Sequence, residues 1–276
     1  MEVIVASKAG ACYGVNRALD LALSCKDAAQ PVHTLGPLIH NPLVVASLAE
    51  QGVSEADDLD AAVSGTVVIR SHGTKPQVIA EAVDRGFNVV DATCPFVSKV
   101  QQNAKMLADA GYGVVIVGEA GHAEVEGIRA WGGDAVVAVV EDPFELPEEL
   151  PARVGVVVQT TQSEERFNNV VDALRPRCEE LKVHKTICNA TAQRQSAARE
   201  LAGNADVMVV IGGRNSGNTR RLVEICAPLC PTHHIEQASE LNPVWFDKAA
   251  TVGVAAGAST PQSHIDSVVT ALEGLG

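Results

Sequence analysis

Short apolar runs rich in valine and isoleucine alternate with amphipathic stretches along the whole chain. The runs cover 1–5, 66–70, 112–118, 154–159, 206–213 and 251–257. Continuous runs of this length are typical of strands that are buried on both faces, as in parallel sheets with helices above and below. Between them, stretches such as 98–111 carry apolar positions at helical spacing, and this one ends on Gly111, a common helix stop. The pattern therefore predicts an α/β protein with mainly parallel sheets.

The same succession of predicted elements occurs three times, each time counted from a cysteine. Cys12, Cys94 and Cys188 each open a helix that leads to a strand and then to a polar, glycine-containing loop. In each loop, the position 28 residues after the cysteine is polar, and the three residues are His40, His122 and Ser216. Structural cysteines in a core have no reason to recur at equivalent junctions, so the spacing indicates one position repeated three times.

A second polar loop follows the next strand of each repeat, around His72, Thr160 and Ser259. A helix comes after each of these loops, and then a strand that leads to the next cysteine. The third repeat lacks this last strand at its end, and the N-terminal strand is expected to supply it. Three α/β domains are therefore predicted, related by pseudo-threefold symmetry in a trefoil, and they span 12–94, 95–188, and 189–276 together with 1–11. Because ligands bind at the carboxyl ends of parallel strands, we expect the loops to meet around one centre.

Composition narrows the class of protein. The chain has 276 residues, 46% of them hydrophobic, and a formal net charge of −13. This charge argues against nucleic-acid binding and requires that an anionic substrate be held by local donors. No apolar stretch reaches the roughly 18 residues of a membrane span, and the N-terminal segment 1–12 lacks the features of a secretory signal. A cytoplasmic protein is expected, without nucleic-acid or membrane partners.

The seven cysteines are an odd number, which argues against a disulfide framework and directs attention to metal or redox chemistry. Three equivalent thiolates are compatible with zinc or with an iron–sulfur cluster. No C-x₂-C pair of the kind found in structural zinc sites is present, so a cluster with one iron lacking a protein ligand is favoured. Core or half-buried thiols are expected for the other four, Cys25, Cys178, Cys226 and Cys230.

The polar loops contain groups that suit an anion and an acid. The donors are His40, His72, His122, Ser216, Asn218 and Ser259. A diphosphate matches this set because its oxygens accept hydrogen bonds from several sides. Glu124 lies in the same loop as His122, and a carboxyl group shielded from water can deliver protons. Thr160 either holds a water or substrate hydroxyl or merely bonds the backbone as a strand-end threonine.

These residues carry a resemblance to a known family. The matching segments, in chain order, are GACYGV at 10–15, IHNP at 39–42, RSHG at 70–73, DATCP at 91–95, GHAEVEG at 121–127, QTTQS at 159–163, TICNAT at 186–191, NSGNT at 215–219 and AGAS at 256–259. Together they resemble the 4-hydroxy-3-methylbut-2-enyl diphosphate reductase family, IspH/LytB. The resemblance covers essentially the whole chain.

The resemblance implies a trefoil around one [4Fe-4S] cluster per chain, held by Cys12, Cys94 and Cys188. It implies reductive removal of the allylic hydroxyl of the substrate, which gives isopentenyl and dimethylallyl diphosphates in the last step of the non-mevalonate pathway. The family's proton-delivering glutamate falls on Glu124 and its hydroxyl-orienting threonine on Thr160. Its diphosphate-binding positions fall on His40, His72, Ser216, Gly217, Asn218 and Ser259, with His122 close by. His122 is also expected to be a catalytic residue, together with Glu124 and Thr160.

The chain departs from the family pattern at two places. Gly217 stands where some members have a second serine, so one diphosphate donor is either missing there or replaced by a backbone N–H. The chain also ends at Gly276 without the tail of many members, and site closure is expected to come from domain movement.

No nicotinamide-binding glycine motif follows a strand, so a ferredoxin or flavodoxin is expected to deliver the electrons. Arg214, Arg220 and Arg221 are candidate docking residues for this donor. Two other functions stay open on the residues alone, a hydro-lyase that uses the open iron without electron input and a non-enzymatic iron–sulfur redox protein.

Overall fold

The computed structural model describes residues 1–26 and 30–275, so the expectation attached to Gly276 lies outside the described residues. The strands are β1 Glu2–Val5, β2 Val32–Leu35, β3 Val53–Ala56, β4 Thr66–Ile69, β5 Asn88–Asp91, β6 Gly113–Val117, β7 Val136–Val140, β8 Arg153–Val158, β9 Glu180–His184, β10 Val207–Ile211, β11 Thr232–Ile235 and β12 Thr251–Ala256. The α-helices are α1 Tyr13–Ser24, α2 Pro42–Glu50, α3 Pro76–Asp84, α4 Pro95–Asp109, α5 Ala123–Gly132, α6 Glu164–Leu174, α7 Asn189–Ala202, α8 Gly217–Cys226 and α9 Gln262–Glu273. The predicted α/β class is confirmed.

The strands form three four-stranded sheets, and every pairing is parallel. The sheets have the same strand order, β3-β2-β4-β5, β7-β6-β8-β9 and β11-β10-β12-β1. β1 pairs with β12, with Val3 opposite Val252, and so takes the position that β5 and β9 hold in the other sheets. The identical order shows that the repeat extends from sequence to topology. The domain boundaries after 94 and 188 remain a prediction.

The apolar runs of the sequence correspond to the buried strands. All residues of β4, β6 and β10 are buried, as expected for strands covered on both faces. In β6, Val115 and Val117 pack with α6 on one face, and Val114 and Ile116 pack with α4 and α5 on the other. α4 begins at Pro95 and ends at Asp109, and Gly111 follows with φ of 78° in the left-handed region that favours glycine.

Each sheet also contains an edge strand that the sequence pattern misses. Three strands per repeat are predicted, whereas β3, β7 and β11 add a fourth beside β2, β6 and β10. These strands are only partly buried, and β3 (VSEA) and β11 (THHI) include polar residues. β3 and β11 lack the continuous apolar run of a central strand, so the pattern that identified the central strands cannot identify them, whereas β7 (VVAVV) has such a run and was overlooked.

The chain divides into two compact units. The first unit consists of Met1–Val15, His40–Pro42 and Asn189–Gly276, and it contains the sheet of β1, β12, β10 and β11. The second unit consists of Asn16–Ile39 and Leu43–Cys188, and it contains the other two sheets. Within 1–26 and 30–275, no helix combines the length and the apolar character needed to cross a bilayer.

Candidate active site

The three repeated cysteines lie at the N-termini of helices. Cys94 is the N-cap residue of α4, and Cys12 and Cys188 directly precede α1 and α7. No disulfide joins any of the three among the described residues, and all three thiols are half-buried. The N–H groups and the dipole at a helix N-terminus favour negative charge, so each position suits a thiolate ligand.

The backbone of each cysteine is tied to a polar loop in its own unit. The acceptor is in every case a carbonyl oxygen in the loop that follows the third strand of the repeat, β12, β4 or β8. The N–H groups of Cys12, Cys94 and Cys188 donate to the carbonyl oxygens of Ala258 at 3.0 Å, Ser71 at 2.9 Å and Thr160 at 3.2 Å. Each cysteine is therefore fixed beside a predicted substrate-binding loop, the loop of Ser259, His72 or Thr160.

The chemistry of these donors fits a thiolate-bound iron–sulfur cluster. Three cysteines that form no disulfide among the described residues recur at equivalent positions, and their helix N-termini can offset thiolate charge. In the described part of the chain, no three His, Cys, Asp or Glu side chains are grouped as ligands of one metal ion. The fit therefore rests on residue type and on the local setting of each cysteine.

The polar residues of the second unit include a buried carboxyl group. Glu124, the second residue of α5, is 1% exposed, and its Oε1 accepts a 2.7 Å bond from the N–H of Thr160. The Thr160 hydroxyl lies 2.9 Å from Oε2. Burial raises the pKa of Glu124 to about 7, although both bonds from Thr160 lower it. Glu124 can therefore hold a proton near neutral pH.

One predicted histidine bonds to the backbone of Glu124, and a second one contacts the ring of the first. His122 is the N-cap residue of α5, and its Nδ1 accepts a 3.1 Å bond from the N–H of Glu124. In the neutral ring, the proton is then on Nε2, which becomes a donor. The ring of His72 meets that of His122 edge to face, with centroids 5.7 Å apart. Within the second unit, the fold thus brings together His72, His122, Glu124 and Thr160 from three separate sequence motifs.

Gln101 adds a contact that the sequence analysis missed. A Cβ on Gly73 would lie 2.3 Å from Nε2 of Gln101, and one on Gly127 would lie 3.1 Å from the same atom. The two glycines therefore make room for this amide between the His72 loop and α5. Because Gln101 is an ordinary polar residue of an amphipathic helix in the sequence, no pattern distinguishes it.

The first unit contributes mainly uncharged donors at the start of α8. Ser216 is the N-cap residue, and its Oγ accepts a 3.3 Å bond from the N–H of Thr219. Gly217 and Asn218 form the first turn. Asn218 is 3% exposed, and neither Nδ2 nor Oδ1 has a partner among the described residues. A buried amide with both atoms unpartnered at a helix N-terminus is suited to an anionic ligand.

Ser259 and His40 lie beside each other in the same unit. The Ser259 hydroxyl donates to the carbonyl oxygen of His40 at 3.1 Å, and Nδ2 of Asn41 donates to the carbonyl oxygen of Ser259 at 2.9 Å. A Cβ on Gly213 would lie 2.4 Å from the His40 carbonyl oxygen, so only glycine fits there. Asn41 and Gly213 were not predicted as site residues, although both lie in the polar loops that the repeat identified.

The three arginines predicted to dock the electron donor differ in their exposure to solvent. Arg221 is 7% exposed and paired with Glu224, so its prediction as a docking residue is wrong because its charge is buried against a neighbour. Arg214 is exposed and paired with Glu240, and Arg220 is half-buried.

The four other cysteines have the burial that was expected of them. Cys25, Cys178 and Cys230 are half-buried, and Cys226 is buried.

Comparisons with known proteins agree on one family. The model of the LytB protein family matches residues 3–273. The chain is 52% identical over 272 residues to 4-hydroxy-3-methylbut-2-enyl diphosphate reductase of Pelobacter propionicus, covering 98% of this chain and 96% of the relative. It is 48% identical over 276 residues to the reductase of the same name from Geotalea uraniireducens, covering 99% and 97%.

Two solved structures are similar over nearly the whole chain. One is (E)-4-hydroxy-3-methyl-but-2-enyl diphosphate reductase, described as the terminal enzyme of the non-mevalonate pathway, with 42% identity, a TM-score of 0.70 and coverage of 99% of this chain and 100% of that one. The other is E-1-hydroxy-2-methyl-but-2-enyl-4-diphosphate reductase from Plasmodium falciparum, with 25% identity, a TM-score of 0.91 and coverage of 98% and 87%.

Proposed function

Because the chain belongs to the LytB protein family, we propose that it reduces 4-hydroxy-3-methylbut-2-enyl diphosphate to isopentenyl and dimethylallyl diphosphates. This is the last step of the non-mevalonate isoprenoid pathway. The reaction consumes two electrons and two protons per substrate, breaks the allylic C–O bond and releases the hydroxyl as water. The observation that carries the proposal is the buried Glu124–Thr160 pair, an acid set at the pKa that proton delivery requires.

Proton delivery falls to Glu124. In its neutral form, Oε1 still accepts from the Thr160 N–H, while the Oε2 proton is donated to the Thr160 hydroxyl, which reverses the bond between the two side chains. The Thr160 hydroxyl is then free to donate to the substrate oxygen. A proton passes in this way from Glu124 to the departing hydroxyl, and the second proton adds at either end of the allylic system, which accounts for two products.

Each unit carries donors that suit a diphosphate. Ser216, Asn218 and the N–H of Gly217 at the start of α8 supply uncharged donors, and Ser259 and His40 lie on neighbouring loops of the same unit. His72 and His122 supply imidazole donors from the second unit. Such a set replaces the attraction that a chain with a net charge of −13 cannot provide at long range.

Cys12, Cys94 and Cys188 would hold a [4Fe-4S] cluster, one per chain. When bound, the cluster supplies single electrons and one iron without a protein ligand, which serves as a Lewis acid. We further propose a protein electron donor of the ferredoxin or flavodoxin type and a cytoplasmic location, in which the seven cysteines stay reduced.

Anaerobic turnover assays test the proposal. The loaded chain should convert the substrate diphosphate to both products only when a reductant such as dithionite is present. Conversion without reductant would instead support a hydro-lyase. Failure of the loaded chain to bind the substrate diphosphate, or binding unchanged by His72→Ala, would support a non-enzymatic redox protein.

A further inference from the structure

Arg17 connects the helix after one cysteine to the backbone before another. It lies on α1, five residues after Cys12. Its guanidinium donates from Nη1 to the carbonyl oxygen of Thr93 at 3.1 Å and from Nη2 to that of Asp91 at 3.5 Å. Thr93 directly precedes Cys94, and its N–H donates to the Asp91 carboxylate at 2.9 Å. The loop that leads into Cys94 is thus held by a cation from the α1 helix.

Arg194 makes the equivalent connection in the first unit. It lies on α7, six residues after Cys188, and is 8% exposed. Its Nη2 donates to the carbonyl oxygen of Gly10 at 2.6 Å, and its Nη1 donates to that of Ala190 at 3.0 Å. Gly10 is two residues before Cys12 and has φ of 103°, so the backbone turns sharply at the bonded residue.

We propose that Arg17 and Arg194 are positioning residues for the cysteine ligands, each fixing the loop ahead of a cysteine that belongs to a different repeat. This inference rests on the proposed role of Cys12, Cys94 and Cys188. Arg17 donates two bonds from one planar guanidinium to the loop ahead of Cys94, and such a fork fixes orientation as well as distance. Arg194 donates one bond to the loop ahead of Cys12 and anchors itself on its own helix with the other. The positive charge also favours an added electron on a nearby cluster, because charge and hydrogen bonds set cluster potentials.

Amide hydrogen exchange on the full-length, cluster-loaded chain tests the crossed pattern. In Arg17→Met, peptides that contain the Cys94 N–H should exchange about tenfold faster, while those with the Cys12 N–H keep the wild-type rate. In Arg194→Met, the Cys12 peptides should exchange faster and the Cys188 peptides should not. Arg175→Met, which removes an exposed arginine paired with Asp172, is the control and should change neither.

Acceleration confined to the helix that carries each arginine, or no change at the crossed cysteine, would overturn the proposal. Arg17→Lys provides a second measurement. It retains the charge, so the midpoint potential of the cluster should stay near the wild-type value, whereas Arg17→Met should shift it to a more negative value. Equal midpoint potentials in Arg17→Met and wild type would show that the charge of Arg17 does not influence the cluster. If buried Arg194 cannot be replaced without unfolding, the Arg17 variants alone decide the question. Exchange needs no turnover, so failure of the reductase reaction leaves this test interpretable.

Discussion

The two units use different chemistry in equivalent loops. In the second unit, the loops after β4, β6 and β8 present His72, His122, Glu124 and Thr160, three of which titrate. In the first unit, the loops after β10 and β12 present Ser216, Gly217, Asn218 and Ser259, none of which carries a charge. One strand order therefore supports two kinds of loop, one for moving protons and one for holding an anion without proton exchange.

Burial changes the protonation of Glu124 in the second unit but leaves Asn218 in the first unit uncharged. Glu124 at 1% exposure is kept near neutrality because an ionised carboxyl loses its hydration, and this makes it an acid. Asn218 at 3% exposure cannot change its charge, so its unpartnered amide atoms are left ready for a ligand. The difference predicts that substitution of Glu124 affects the rate of the chemical step, and that substitution of Asn218 affects the affinity for substrate.

The largest expected effect is on Glu124. Glu124→Gln keeps the size and both acceptor and donor capacity of the side chain but removes the transferable proton, so kcat should fall by about 10²–10⁴-fold with little change in KM. Steady-state turnover with dithionite measures this. Glu126→Gln is the matched control, since Glu126 lies on the same helix and, in the described part of the chain, accepts a bond from the Gly121 N–H at 3.3 Å, so this variant should retain near-normal kcat. Equal losses in the two variants would contradict the assignment of the proton to Glu124.

The second-largest expected effect is a loss of substrate affinity on substitution of Asn218 in the first unit. Asn218→Ala removes two amide atoms that have no protein partner in the described residues, so the fold loses little while the diphosphate loses a contact. A hydrogen bond to a charged group contributes about 1.5–3 kcal/mol, so KM should rise roughly 10- to 100-fold with a smaller change in kcat. Asn204→Ala, at an exposed asparagine bonded to the Glu200 carbonyl, serves as the control. A loss confined to kcat would erase the distinction between the two units.

The sequence predicted the central strands, the cysteine positions and the residues of the loops, because these follow from periodicity and from a repeat of constant spacing. It could not predict β3 and β11, whose partial burial and polar residues leave no apolar run, and it overlooked β7, which has one. It also missed Gln101 and Arg194, because their importance comes from contacts with residues far along the chain. Arg221 shows the reverse error, since a charged residue in a polar loop indicated a surface and the fold buries it.

A smaller effect concerns the pH dependence of turnover. Glu124 is active when protonated, so with its pKa at about 7 turnover should be full at lower pH and should fall as pH rises through this value. Thr160→Val removes the side-chain bond that lowers this pKa and keeps the bond from the backbone N–H, so the alkaline limb should move to higher pH. kcat should also fall, because the variant lacks the hydroxyl that passes the proton from Glu124 to the substrate. A limb that stays in place would mean that another group controls it.

The smallest effect separates capping from binding in the two units. His122 and Ser216 are the N-cap residues of α5 and α8, and Ser163 caps α6 in the same way. Alanine at any of the three should cost about 1 kcal/mol and lower the thermal midpoint by about 2–4 °C. Only the His122 and Ser216 variants should also raise KM, because Ser163 is outside the predicted site. His122→Asn, which restores a capping acceptor, should recover the midpoint but not the affinity. Recovery of both would mean that His122 acts through the helix alone and donates nothing to the diphosphate.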